Sequence, residues 1–129
     1  MELAKKIPPG MSKPDSSEPY SPILEITCSK LIVISGQVAE DPEGTVCGED
    51  IQTQTRRALE NCKRQLARAD CTLEDVFKAT VFLSDLDDWS AMNEVYVAMM
   101  PVPRPVRTAI QTRLLPGFLI EIEMWAAKK

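Results

Sequence analysis

The chain contains no histidine. That absence removes the Ser-His-Asp and Cys-His nucleophile arrangements. It also removes HExxH sites and most catalytic zinc centres, where imidazole supplies ligands. Acid–base work is left to Glu, Asp, Lys, Tyr, Cys, the backbone or water. Glycine is scarce: Gly10, Gly36, Gly44, Gly48 and Gly117 form neither a G-x-G-x-x-G nor a P-loop, which argues against a nucleotide cofactor. Cys28, Cys47, Cys62 and Cys71 include no C-x-x-C pair. They are expected as free thiols, with Cys62 in a helix core. No apolar run is long enough to span a bilayer. The first residues, MELAKKIPPG, carry no apolar core of a secretory signal, so a cytoplasmic location is the expectation. A basic surface is missing as well: the net charge of −4 argues against a nucleic-acid binder driven by bulk electrostatics.

What is present fits one globular domain. The 129 residues are 44% hydrophobic and 26% charged, enough to bury a core without staples. Residues 1–18, rich in Pro, Ser and Lys, read as an irregular arm, and residues 19–129 as the domain. Residues 23–28 and 31–35 read as a hairpin, with Leu31-Ile32-Val33-Ile34 as a buried strand. It ends at Ser35-Gly36, which marks either a bulge or a place where a ligand meets main-chain N–H groups. Residues 51–69 read as a helix with Asp50 as N-cap. Ile51, Ala58, Leu59, Cys62, Leu66 and Ala67 form its apolar stripe, and Arg56, Arg57, Lys63, Arg64 and Arg68 its solvated face. Thr72-Leu73-Glu74-Asp75 resembles a capping box, and residues 76–83 read as a strand. A second helix, residues 88–99, buries Trp89, Met92, Val95, Tyr96 and Met99, with Asn93 at the edge of that stripe. Tyr20 reads as either a surface aromatic or a lid residue.

The stretch of greatest interest is residues 105–125, PVRTAIQTRLLPGFLIEIEMW. Leu115-Pro116-Gly117 has turn chemistry, so the stretch reads as a closing hairpin. Side chains alternate along a strand, and antiparallel pairing sets Arg107 on the face that carries Glu121 and Glu123. A guanidinium fork suits a carboxylate or phosphate, and a nearby Glu can position or deprotonate water. Arg107 and a glutamate form either a small hydration site or a cross-strand ion pair on a solvated face. The element order is β-β-α-β-α-β-β, an α+β sandwich with both helices on one face of the sheet. The other face carries Arg107, Glu121 and Glu123 with Leu119 and Trp125. A half-apolar face of this kind predicts a homo-oligomer with the charged pocket at a subunit interface.

PYSP from Pro19, ISGQ from Ile34, the helix ALENCKRQLARA, the strand VFKATVFLSDL, MNEVY with Asn93, PVR with Arg107, LP at Leu115 and IEIE from Ile120 recur in one order. In this series the chain, over residues 19–127, resembles the Rid (YjgF-like) reactive-intermediate deaminase family, also called the L-PSP endoribonuclease-like family. The resemblance implies a chorismate-mutase-like sandwich, a homotrimer with clefts between subunits, and no cofactor. It implies hydrolysis of 2-imino or enamine acids to 2-keto acids and ammonia. In that scheme Arg107 holds the substrate carboxylate and Glu121 orients the attacking water. The backbone at Ala109 faces the imine nitrogen, Ser35 and Gly36 line the pocket, and Tyr20 and Asn93 close it. Ala109 stands where many members have cysteine, so only a backbone role is open there. The family also holds pathway-specific hydrolases of related enamine, amide or carbamate acids, and regulatory or RNA-acting members.

Overall fold

The computed structural model describes residues 4–10 and 18–128. Residues 1–3 and 11–17 of the expected arm, and residue 129, lie outside the described residues. Within the arm, Ala4–Lys6 is not irregular but forms a strand, β1. The chain continues as β2 (Glu25–Thr27), β3 (Lys30–Val38), α1 (Ile51–Ala67), β4 (Val76–Leu83), α2 (Trp89–Met99), β5 (Val106–Gln111) and β6 (Ile120–Lys128).

α1 begins where the sequence requires it. Asp50 Oδ1 accepts from Thr53 N at 2.7 Å, satisfying one of the free donors of the first turn. Its buried stripe runs from Ile51 to Leu66; the expected Ala67 is exposed. Gln54 and Thr55 are buried in addition. Polar residues were not expected there, and Gln54 shows why one is tolerated. Its Nε2 donates to Gly117 O at 2.9 Å and to Gly48 O at 3.1 Å, and its Oε1 accepts from Leu119 N at 2.8 Å. One amide thus ties two loops to the helix. Gln54→Ala leaves three main-chain groups without that partner and should cost about 3 kcal/mol in a urea titration. A loss below about 1 kcal/mol would mean that water replaces the amide.

β4 alternates as expected: Ala79, Val81 and Leu83 are buried beneath the helices, while Thr80 and Phe82 point to the other face. Thr72 and Asp75 form a reciprocal capping box just before it. The main sheet has the order β3-β6-β4-β5, with β4 and β5 parallel and the other neighbours antiparallel. Both helices lie on one face, giving the expected α+β sandwich.

Two expected hairpins do not form. β2 pairs with β1 in a separate two-stranded sheet, and β3 pairs with β6. The closing hairpin is absent because α2 is a crossover, which makes β5 run parallel to β4. The loop of residues 112–119 then straddles the end of β4. Thr112 N donates to Leu83 O on one side, and Ser84 N to Leu119 O on the other. The Pro116-Gly117 turn is real, with Gly117 at φ +87° and Phe118 N donating to Leu115 O at 3.2 Å. It folds the loop rather than joining paired strands. Nor is 31–34 a buried strand: Leu31 and Val33 are each 55% exposed, on the face without helices. Ile110 and Trp125 are exposed there too. Leu119, expected on that face, packs against the core.

All four cysteines are free. Cys62 lies fully buried on α1, and burial pushes its thiol up to about 12 from the ordinary 9.0. The folded state therefore keeps a proton that the unfolded chain releases above pH 9, and stability falls as pH rises from 9 towards 12. By pH 10 the loss is on the order of 1 kcal/mol, and the Cys62→Ala variant should lack it. Denaturant titrations at pH 8 and pH 10 give the difference; equal slopes in both proteins would rule out the thiol as its source. Among the described residues no helix is long and apolar enough to cross a membrane.

Candidate active site

β5 is an edge strand. Arg107 pairs with Ala79, and Ala79 with Met124, both of which face the helices. Arg107 therefore points under α2. Residues three and four apart share a helix face, so α2 presents Trp89, Met92, Asn93 and Tyr96 to it together. The guanidinium carbon lies 4.8 Å from the Tyr96 ring centre, 5.2 Å from that of Trp89 and 5.7 Å from that of Tyr20. Nη1 donates to Asn93 Oδ1 at 2.7 Å. Nη2 is buried and has no hydrogen-bond partner. Among the described residues no carboxylate pairs with Arg107. Burial draws its pKa below the ordinary arginine value.

This is an unusual balance of forces. A partly buried charge without a counter-charge is disfavoured. Three aromatic faces return part of that, each roughly 0.5–2 kcal/mol. The rest is an unmet preference for an anion. A pocket of about 260 Å³ adjoins it, with Tyr20, Ser21 and Pro22 forming one wall and Val106, Arg107 and Thr108 another.

The second group of expected residues lies elsewhere. The pairing of β3 with β6 slips between Ile34 and Gln37, so Ser35-Gly36 is the bulge. A Cβ on Gly36 would collide with the Glu121 carboxylate. Only glycine lets that carboxylate lie against the strand. Glu121 pairs with Val38 on one side and Phe82 on the other, on the face without helices. Ser35 is exposed beside it.

The structure therefore brings Arg107, Tyr20 and Asn93 together, and separately Ser35, Gly36 and Glu121. Ala109 is two residues beyond Arg107 on the same face, partly buried against the core. The two groups are on opposite faces, with β4 between their strands. This corrects the expectation that Arg107 shares a face with Glu121 and Glu123, and neither the site nor the ion pair based on that pairing exists within one chain. From sequence, Trp89, Met92 and Tyr96 around Arg107 mark only a core stripe. The available signal was that the α2 stripe containing them also contains Asn93.

Comparison with known proteins bears on the fold and the family. The model of the family described as Endoribonuclease L-PSP matches residues 10–128. A RutC family protein of Pyrococcus abyssi is 38% identical over 129 residues, covering 98% of this chain and 100% of the relative. The mouse 2-iminobutanoate/2-iminopropanoate deaminase is 32% identical, covering 98% of this chain and 93% of the relative. A solved member of the YjgF protein family from Neisseria meningitidis superposes with a TM-score of 0.71 at 30% identity, covering 84% of this chain and 90% of that one. Two helices on a mixed sheet, in the chorismate-mutase-like arrangement, are thus shared with solved relatives, and the match runs almost end to end: the chain belongs to the endoribonuclease L-PSP family, the family of YjgF, RutC and Rid proteins.

Proposed function

We propose that the protein hydrolyses reactive 2-imino and enamine acids to 2-keto acids and ammonia, at sites formed between the subunits of a homotrimer. The observation that carries this reading is Nη2 of Arg107, buried, cationic and without a partner. It suits a carboxylate, which a guanidinium fork holds with two parallel hydrogen bonds. The name of the mouse relative supports the substrate class.

Arg107 fixes the acid group, with Asn93 setting the plane of the guanidinium. Glu121 takes a proton from a water whose oxygen bonds to C2 of the iminium. Glu121 then returns that proton to the nitrogen of the carbinolamine. The C2–N bond breaks as the C2 hydroxyl gives up its proton and becomes the keto oxygen, and the nitrogen leaves as ammonia carrying that proton, as ammonium. The edge-strand backbone at Ala109 faces the nitrogen, and Ser35-Gly36 shapes the wall beside Glu121. An iminium carbon is already electrophilic, so positioning and a proton acceptor suffice. Because Arg107 and Glu121 lie on opposite faces of one chain, a second copy must supply one of them. The exposed Leu31, Val33, Ile110 and Trp125 are the apolar surface that such a contact would cover.

The reading is tested by generating 2-imino acids with a pyridoxal-phosphate dehydratase and trapping them with semicarbazide. The protein is expected to suppress semicarbazone formation and speed keto-acid release. Unchanged trapping with every imino acid supplied would sink it.

A further inference from the structure

Residues 18–22 run beside the start of β5 in neither helix nor strand, yet both flanks of Tyr20 are tied down. On one side, Arg104 Nη1 donates to Glu18 O at 2.8 Å. On the other, Ser21 N donates to Pro105 O at 3.2 Å, and Ser21 Oγ to Arg104 O at 2.5 Å. Arg104 Nη2 donates to Val97 O at 3.0 Å, in the last turn of α2. Carbonyls there lack helical partners, and a cation is favoured. Arg104 is 6% exposed and Ser21 2%.

Tyr20 is different. It is 40% exposed, and its ring faces Arg107. The hydrogen bonds on residues 18 and 21 hold the backbone on either side of that half-open ring. Arg104 thus joins three things: the end of α2, which carries Asn93 and Trp89 one and two turns earlier; the strap of residues 18–22; and, three residues on, Arg107 itself.

We infer that Arg104 and Ser21 form a bracket that positions Tyr20 as a wall of the Arg107 pocket, so that both are positioning residues for ligand binding. This rests on the reading of Arg107 as a carboxylate receptor. Neither residue needs to touch the ligand; both act through the strap.

The test is a double-mutant cycle read by binding and by hydrogen exchange. Trp89, 5.2 Å from the Arg107 guanidinium, reports 2-oxobutanoate binding by fluorescence. Ser21→Ala is expected to weaken that binding about fivefold, the effect of one hydrogen bond, and to speed amide exchange in residues 18–22. Arg104→Met does both more strongly, and Arg104→Lys recovers part, because lysine can still donate to one carbonyl. In a Tyr20→Ala background, Ser21→Ala changes binding by no more than about twofold, since both act through the same ring. Additive losses overturn the bracket, as does weaker binding with unchanged exchange in the strap. The Ser21 arm keeps the test decisive if Arg104→Met fails to fold. Should the wild-type protein bind no 2-oxobutanoate, the carboxylate reading fails; the exchange comparison still decides whether Arg104 and Ser21 hold the strap.

Discussion

Arg107→Ala is expected to lower kcat/KM for a 2-imino acid by roughly 10²–10³-fold while leaving the fold intact. The size follows from the interaction removed: a desolvated, charge-assisted pair of hydrogen bonds, whose loss at comparable sites costs about 3–4 kcal/mol. Stability should behave differently. Among the described residues Arg107 has no carboxylate partner, so truncation breaks no ion pair there. What disappears is a cation already disfavoured by burial, offset by its stacking on Tyr20, Trp89 and Tyr96 and its bond to Asn93. The melting temperature should hold or rise slightly. Arg107→Lys keeps the charge but not the planar fork, and should recover only a small part of the activity. Steady-state kinetics with a thermal melt on each variant separates the cases. A variant that loses activity and stability together would make Arg107 a structural residue.

Gly36→Ala should do its damage at the chemistry rather than at binding. The added methyl occupies the place of the Glu121 carboxylate. The nearest atom is the far end of a flexible side chain, so the fold can answer by swinging Glu121 away, at a cost of about 1 kcal/mol or less. The catalytic cost is larger, because a general base displaced by about 1 Å loses on the order of 10²-fold. The variant is therefore expected to show kcat down roughly 10²-fold and KM changed by less than about threefold, with a near-normal melting curve. Combined with Glu121→Gln, it should add almost nothing. If Gly36→Ala and Glu121→Gln multiply, the glycine serves something other than the carboxylate.

Local signals were legible in the sequence, and strand partners were not. Asp50, the capping box at Thr72 and the period of β4 depend on residues near one another, and each is found as read. A turn at Pro116-Gly117 is legible too, but not what it joins: the loop around it passes over the end of β4 instead of closing a hairpin, and no local pattern encodes a strand from elsewhere entering between two neighbours. The error about Arg107 follows from that one topological step. A parallel crossover turns its side chain under α2 instead of towards Glu121. The residue types of the proposed site were legible because the proposed chemistry would select them: a fork for a carboxylate, a carboxylate for water; the glycine is legible because a side chain cannot fit beside Glu121. The aromatic cage was not, since Trp89 and Tyr96 at helical spacing read equally as core.

The separation of Arg107 from Glu121 is the central claim, and subunit mixing tests it most directly. Arg107→Ala and Glu121→Gln are each expected to be nearly inactive alone. Co-expressed in equal amounts, they should form mixed oligomers in which about a quarter of the sites pair an intact arginine with an intact glutamate from different chains. Activity should return to about a quarter of the wild-type value. If the mixture is no more active than its parents, both residues act from one chain, and the site described here is not the one that works.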